Sequence, residues 1–254
     1  MKPLWIRLVR FFLTASLVFV IGSVGSVLFY RFVPVFVTPL MLIRSAQSVF
    51  SGSLVGIEKE WVPLSEISPS MQKAVLKAED ARFFEHNGFD FDAIEKAMKY
   101  NKTHKKVKGA STISQQTAKN VFLWPSRDWV RKGLEAYFTV LIEAVWPKER
   151  IMEVYLNVIE MGPGVYGVEA ASQRYFKKSA KNISASQASL VAAVLPNPRR
   201  FRIDRPSNYV VKRQHRILYR VSPPLPTAQV DEKQSLLDFI DLKFDNDDEG
   251  ESKN

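Results

Sequence analysis

The chain has no cysteine, which excludes disulfides and thiolate-held metal and leaves the redox compartment undecided. Histidine is scarce: His86, His104 and His215 are far apart and show neither an H-x-x-x-H nor a carboxylate-rich ligand spacing, so a dedicated zinc site is not expected. Strand signals are few and no repeat of solenoid length is evident. General disorder is excluded, because 46% of the residues are hydrophobic and 24% charged, the balance of a chain with a core. A length of 254 residues suits one well-cored domain plus appendages, not two large ones.

The most telling local absence is of charge. From Phe11 to Tyr30, "FFLTASLVFVIGSVGSVLFY", no charged side chain occurs for twenty residues, enough to cross roughly 30 Å of hydrocarbon as a helix. Lys2, Arg7 and Arg10 precede it and Arg31 and Arg44 follow, a bias toward an N-terminus on the inside. A cleaved signal peptide is the rival reading, but the run is long for one and no A-x-A-like site follows it. Residues 11–30 are therefore read as a transmembrane helix after a cytoplasmic 1–10. Residues 31–44 stay apolar but carry Pro34 and Pro39, which break regular helix; such a segment either dips into the membrane interface or packs on the domain's own core.

Charge is unevenly spread over the rest. Residues 228–254 hold nine acidic and three basic side chains, leaving 33 basic against 17 acidic in the first 227 residues, a formal +16. A body so basic attracts polyanions in general: nucleic acid, anionic headgroups or phosphorylated substrates. Helical patterning dominates residues 45–225, the expected domain, and the acidic segment 226–254 is expected to be a mobile tail. Ser68 with Pro69 opens a helix expected to run through 70–84, and Asp90 caps the next. A long helix from Asp128 ends at Trp146-Pro147, and "PKERIMEVYLNVIEM" restarts at once. Ser184 with Gln187 forms a capping box, and "YVVKRQHRILYRV" is a last basic helix.

Three stretches can carry chemistry. In "KAEDARFFEHNGFD", residues 77–90, a helical Glu79 would share a face with Phe83, and Asp80 with Phe84; apolar rings beside a carboxylate raise its pKa toward that of a proton handler. In "KGASTISQQTAKN", residues 108–120, a glycine and small hydroxyl residues open a helix whose free N–H groups suit an anion, followed by Gln115, Gln116 and Lys119; taken alone this is also an ordinary Ser/Thr-capped helix start. In the helix after Arg127, Arg131 and Glu135 sit at i, i+4 ahead of a largely apolar run, which is equally the pattern of an ion pair at the edge of a buried helix. Together they offer two carboxylates, Glu79 and Glu135, and a basic set, Lys119, Arg127, Arg131 and Lys132. Paired carboxylates serve glycosidic-bond chemistry, and clustered cations stabilise a departing diphosphate.

These stretches carry a resemblance. "EDARFFEHNGFD" resembles the first motif of the peptidoglycan glycosyltransferase family and "GASTISQQTAKN" its second; "RKGLE", "KERIMEVYLN" and "SLVAAVLPNP" are similar to the third, fourth and fifth, in the family's order over residues 79–198. The short chain, without room for a transpeptidase domain, resembles the monofunctional branch. The resemblance implies a mainly α, lysozyme-like domain behind one N-terminal transmembrane helix, on the outer face of a bacterial inner membrane. It implies polymerisation of lipid II into β-1,4-linked glycan with inversion and release of polyprenyl diphosphate. Lipid II, the growing lipid-linked chain and the membrane are the implied partners, with cell-wall synthesis or division proteins beside them and no nucleic acid. By motif, Glu79 is the implied general base and Glu135 assists diphosphate departure, directly or through a divalent ion, Mg2+ or Mn2+, with no requirement for either implied. Lys119 and Arg127 hold the diphosphate, and Arg131 and Lys132 add to the field. Ser111, Thr112, Gln115, Gln116 and Asn120 line sugar and phosphate sites, and Asp80, Phe83 and His86 shape the pocket of Glu79. The apolar stretch 32–43 would guide the polyprenyl tail.

Two rivals stand beside this reading. A lysozyme-like lytic glycosidase shares the two carboxylates and the helices, but has no need of the cations or the span. A membrane-anchored module binding nucleic acid or another polyanion would show a steep salt dependence without turnover; the aromatics, however, are not interleaved with the basic residues in any recognisable nucleic-acid motif.

Overall fold

The computed structural model describes residues 4–52, 56–104, 107–126 and 128–222. Arg127 and the acidic segment 226–254 lie outside the described residues. Ten α-helices occur among those described: α1 Leu4–Phe32, α2 Pro39–Phe50, α3 Pro69–Glu79, α4 Phe91–Thr103, α5 Ile113–Phe122, α6 Trp129–Val145, α7 Lys148–Val158, α8 Val168–Phe176, α9 Ala185–Val194 and α10 Asn208–Val221. Three short strands, β1 Glu58–Lys59, β2 Glu160–Gly162 and β3 Val165–Tyr166, form a sheet in the order β1-β3-β2. β3 pairs parallel with β1 and antiparallel with β2, with an irregularity between Glu160 and Gly162. The domain is mainly α, as the helical patterning requires.

Local chemistry sets the boundaries. Ser68, Asp90, Thr112, Asp128 and Ser184 each accept an N–H of the first turn they precede, relieving donors that a helix start leaves unmade. Thr112 with Gln115 and Ser184 with Gln187 complete reciprocal capping boxes. Pro39 opens α2 behind the cap Thr38, so the proline that interrupts one helix begins another. The helix expected to reach Met161 stops at Val158, and Glu160 turns into β2. Gly167 holds this turn: its φ is +82°, and a Cβ there would lie 2.7 Å from the Asn157 carbonyl.

α5 is the central helix, with Ile113, Thr117, Ala118 and Val121 buried; it packs between α6 and α7, while α9 and α10 cover α3. The apolar segment 31–44 divides between its two readings. Val35 and Met41 are core residues, whereas Phe36, Val37 and Leu42 are exposed. α1 has a mean hydropathy of 2.2 over its most apolar window and is long enough to cross a membrane. Its second half is not free. Phe19 lies against Tyr137 and Phe138 at ring distances of 5.6 and 6.5 Å, and Ser23 Oγ bonds the Tyr137 hydroxyl at 2.7 Å. Trp146 Nε1 donates to the Val27 carbonyl, and the Arg150 guanidinium donates to those of Tyr30 and Val33.

Candidate active site

α3 ends at Glu79, not at residue 84 as its pattern suggests, because Asp80 leaves the helix with φ −159° and takes other partners. Its carboxylate accepts the Ile113 N–H at 3.0 Å, at the start of α5. It also accepts from His86 Nε2 at 3.0 Å. The Gly88 N–H donates to His86 Nδ1, which fixes the tautomer with the proton on Nε2. Glu79 and Phe83 therefore do not share a helix face. Phe83 is fully buried against Phe84 and His86, while Phe84 is 59% exposed. Gly88 sits so close to α6 that a Cβ would meet Thr139 Cγ2 at 2.7 Å, at a φ of +92°. Lys148 closes the loop from the other side: its ammonium donates to the His86 carbonyl and to Glu143 and lies 4.5 Å from the Phe83 ring centre.

Glu79 itself is nearly enclosed. Gln116 Nε2 donates to its Oε2 at 3.0 Å, and the Tyr155 hydroxyl donates to Gln116 Oε1 at 3.2 Å, which orients the amide. Arg213 Nη2 of α10 reaches its Oε1 at 3.2 Å. Burial pushes the Glu79 pKa above the usual carboxylate value, with Asp80 adding to the rise; Gln116, Arg213 and Lys119 pull the other way. The net direction is that of a base poised toward neutrality. Burial of Tyr155, with Glu79 and Asp80 nearby, drives its hydroxyl well above its ordinary value, so it stays a neutral donor.

The second carboxylate lies on α6. Glu135 is 3% exposed and both its oxygens are taken, Oε2 by Arg131 Nη1 at 2.6 Å and Oε1 by Lys132 Nζ at 2.5 Å. The i, i+4 pair read from sequence is real, and buried. Lys119 connects the two centres: its charge is felt by both Glu79 and Glu135, and burial, reinforced by Arg131 and Lys132, lowers its pKa. Arg131 Nε and Asn120 Nδ2 are buried without a partner. Unmade donors beside an excess of cations suit an anion. A divalent ion fits poorly here, since Glu135 is already neutralised by two cations and the unsatisfied atoms are donors; among the described residues no group of three His, Asp or Glu could hold one. No step is assigned to a metal.

The other expected residues divide by the work they already do. Thr112 and Gln115 form the α5 capping box, and Thr112 Oγ1 also donates to the Gly88 carbonyl. Ser111 is exposed. Arg213, Tyr155, Lys148 and Glu143 escaped sequence reasoning. Arg213 lies in the basic helix already noted, but nothing in its spacing points across the fold to Glu79.

A family profile described as Transglycosylase matches residues 48–222. Biosynthetic peptidoglycan transglycosylases are similar along most of the chain. That of Bdellovibrio bacteriovorus is 73% identical over the whole of both chains. Those of Bacteroides thetaiotaomicron, 51% identical over 92% of this chain and 97% of the relative, and of Caulobacter vibrioides, 52% over 83% and 90%, extend the likeness. A buried carboxylate with a raised pKa, a second one held by two cations, and these matches agree: the chain belongs to the transglycosylase family, with its lysozyme-like helical domain.

Proposed function

We propose that Glu79 is the general base and the Lys119, Arg131, Lys132 cradle the diphosphate site of this chain, a peptidoglycan glycosyltransferase. Glu79 takes the proton from the 4-hydroxyl of an acceptor lipid II. The freed oxygen attacks the anomeric carbon of the lipid-linked donor from the face opposite its diphosphate. The carbon–oxygen bond to phosphate breaks, its electron pair leaves with the polyprenyl diphosphate, and the anomeric centre inverts. Because a diphosphate is already a good leaving group, its charge is the main electrostatic problem, and the cradle answers it. Glu135 holds Arg131 and Lys132 in place. Arg127 joins this set by its motif position alone.

The observations that carry this reading are geometric: Glu79 is held by Gln116 at 3.0 Å, and Glu135 is held by Arg131 and Lys132 while Arg131 Nε and Asn120 Nδ2 stay buried without a partner. A lytic glycosidase would need its second carboxylate free to act as acid or nucleophile, and that of Glu135 is occupied on both oxygens. α1 serves as a single-pass anchor with the domain on the periplasmic face, and the exposed Phe36, Val37 and Leu42 lie where the chain leaves it, positioned for the polyprenyl tail. Incubation with lipid II tests the reading. Glu79→Gln retains lipid II binding and loses polymerisation by about 100-fold or more; polymer formed at the wild-type rate by that variant overturns the assignment.

A further inference from the structure

We propose that the outward face of α4 docks on the acidic phospholipid headgroups of the bilayer that α1 enters, an inference that rests on the reading of α1 as a membrane anchor. α4 stands apart from the other described α-helices: none of its residues is buried. Ala93, Ile94, Ala97, Tyr100 and Asn101 are half-buried and form the inner side. Outward it presents Phe91, 74% exposed, and Met98, 58% exposed, with Lys96, Lys99 and Lys102 also exposed. At about 100° per residue, Phe91, Met98 and Lys102 fall within about 40° of one another, Lys99 lies about 80° round from Phe91, and Lys96, about 140° round, marks the edge of the exposed half.

The acids of this helix offset part of the field: Asp92 is engaged at 2.5 Å by Arg82, from outside the helix, and Glu95 takes Lys99 at 2.6 Å, so the excess positive charge rests on Lys96, Lys102 and Lys108. Past the helix the chain folds back, because Asn101 bonds both the N–H and the carbonyl of Lys108. That sets the Lys108 ammonium 3.7 Å from the Tyr100 ring centre, beside Val107, which is 77% exposed.

A soluble anion has no use for Phe91, Met98 and Val107, and an apolar protein partner is repelled by the lysines. A lipid–water boundary offers both environments at once, acyl carbon for the apolar side chains and phosphate for the ammonium groups. The anion meant here is the acidic phospholipid and not the substrate's diphosphate, for which the buried cations around Glu135 are built.

The absence of native cysteine allows a single reporter. Full-length Met98→Cys, carrying an environment-sensitive dye, is placed in nanodiscs of phosphatidylcholine, of phosphatidylcholine with phosphatidylglycerol, and of phosphatidylcholine with lipid II. Leu17→Cys on α1 reports the anchor itself. The expected result is a blue shift at Met98→Cys in the phosphatidylglycerol discs, most of which is lost when Lys96→Glu, Lys99→Glu and Lys102→Glu are added. Leu17→Cys is blue-shifted in all three. If Leu17→Cys is in lipid while Met98→Cys responds equally to all discs or to none, the α4 proposal falls and the anchor stands. A response to lipid II discs alone assigns the face to the substrate and overturns the proposal. A water-exposed Leu17→Cys overturns the anchor reading beneath it.

Discussion

Glu79 shows how burial and neighbouring charges tune one group in opposite directions. Burial raises its pKa, whereas Gln116 and Arg213 hold the charged form. In its proposed role as base Glu79 must be ionised to act, so activity is expected to fall on the acid side as pH drops through its pKa, a limb displaced upward from an ordinary glutamate. Arg213→Met removes a stabilising positive charge, so the acid limb of kcat moves to still higher pH, read from a pH–rate profile of lipid II polymerisation; an unmoved limb refutes the coupling. The folded state also holds this proton more tightly than the unfolded chain, so the group's contribution to stability declines as pH rises through the window above 4.5. Lys119 behaves in the opposite sense. Its depressed pKa removes its charge below the ordinary lysine value of 10.5, so KM for the lipid donor rises on the alkaline side. Lys119→Arg moves that limb out of range, because guanidinium remains charged.

Between elements, few bonds decide where these groups point. Thr112 caps α5 and also holds the Gly88 carbonyl, so Thr112→Ala costs about 1–2 kcal/mol, measured by chemical unfolding in detergent. Thr112→Ser recovers most of it. The capping residues Ser68, Asp90 and Ser184 were legible in the sequence because a cap is a local event, satisfied within three residues. The end of α3 was not. Its pattern runs on past Glu79, but Asp80 gains more by accepting the Ile113 N–H and the His86 proton, partners 33 and 6 residues away. Likewise Val35 and Phe36, adjacent and equally apolar, part company, one in the core and one at the surface.

For the whole molecule, the seam between α1 and α6 sets how the apolar helix α1 is joined to the domain. Tyr137, which bonds Ser23, is two residues beyond Glu135, so α1 is joined directly to the helix that carries Arg131, Lys132 and Glu135. In membranes, a short bifunctional thiol reagent should bridge Ser23→Cys to Tyr137→Cys within one chain, and Ile21→Cys, 63% exposed in the native chain, should not bridge to the same partner. Equal bridging in both pairs refutes the seam.

Helical class, the apolar run of α1, the capping chemistry and the order of five motifs were determined by sequence alone, because each depends on side chains close together in the chain. Tertiary structure decided what those residues face: that Arg213 rather than a phenylalanine opposes Glu79 along with Gln116, that Glu135 is spent on two cations, and that Lys119 links both acids. The partners of Glu79 lie 37 and 134 positions away and those of Glu135 within one turn, but in both cases the strength of the pairing comes from burial, which exists only once the chain has closed on itself.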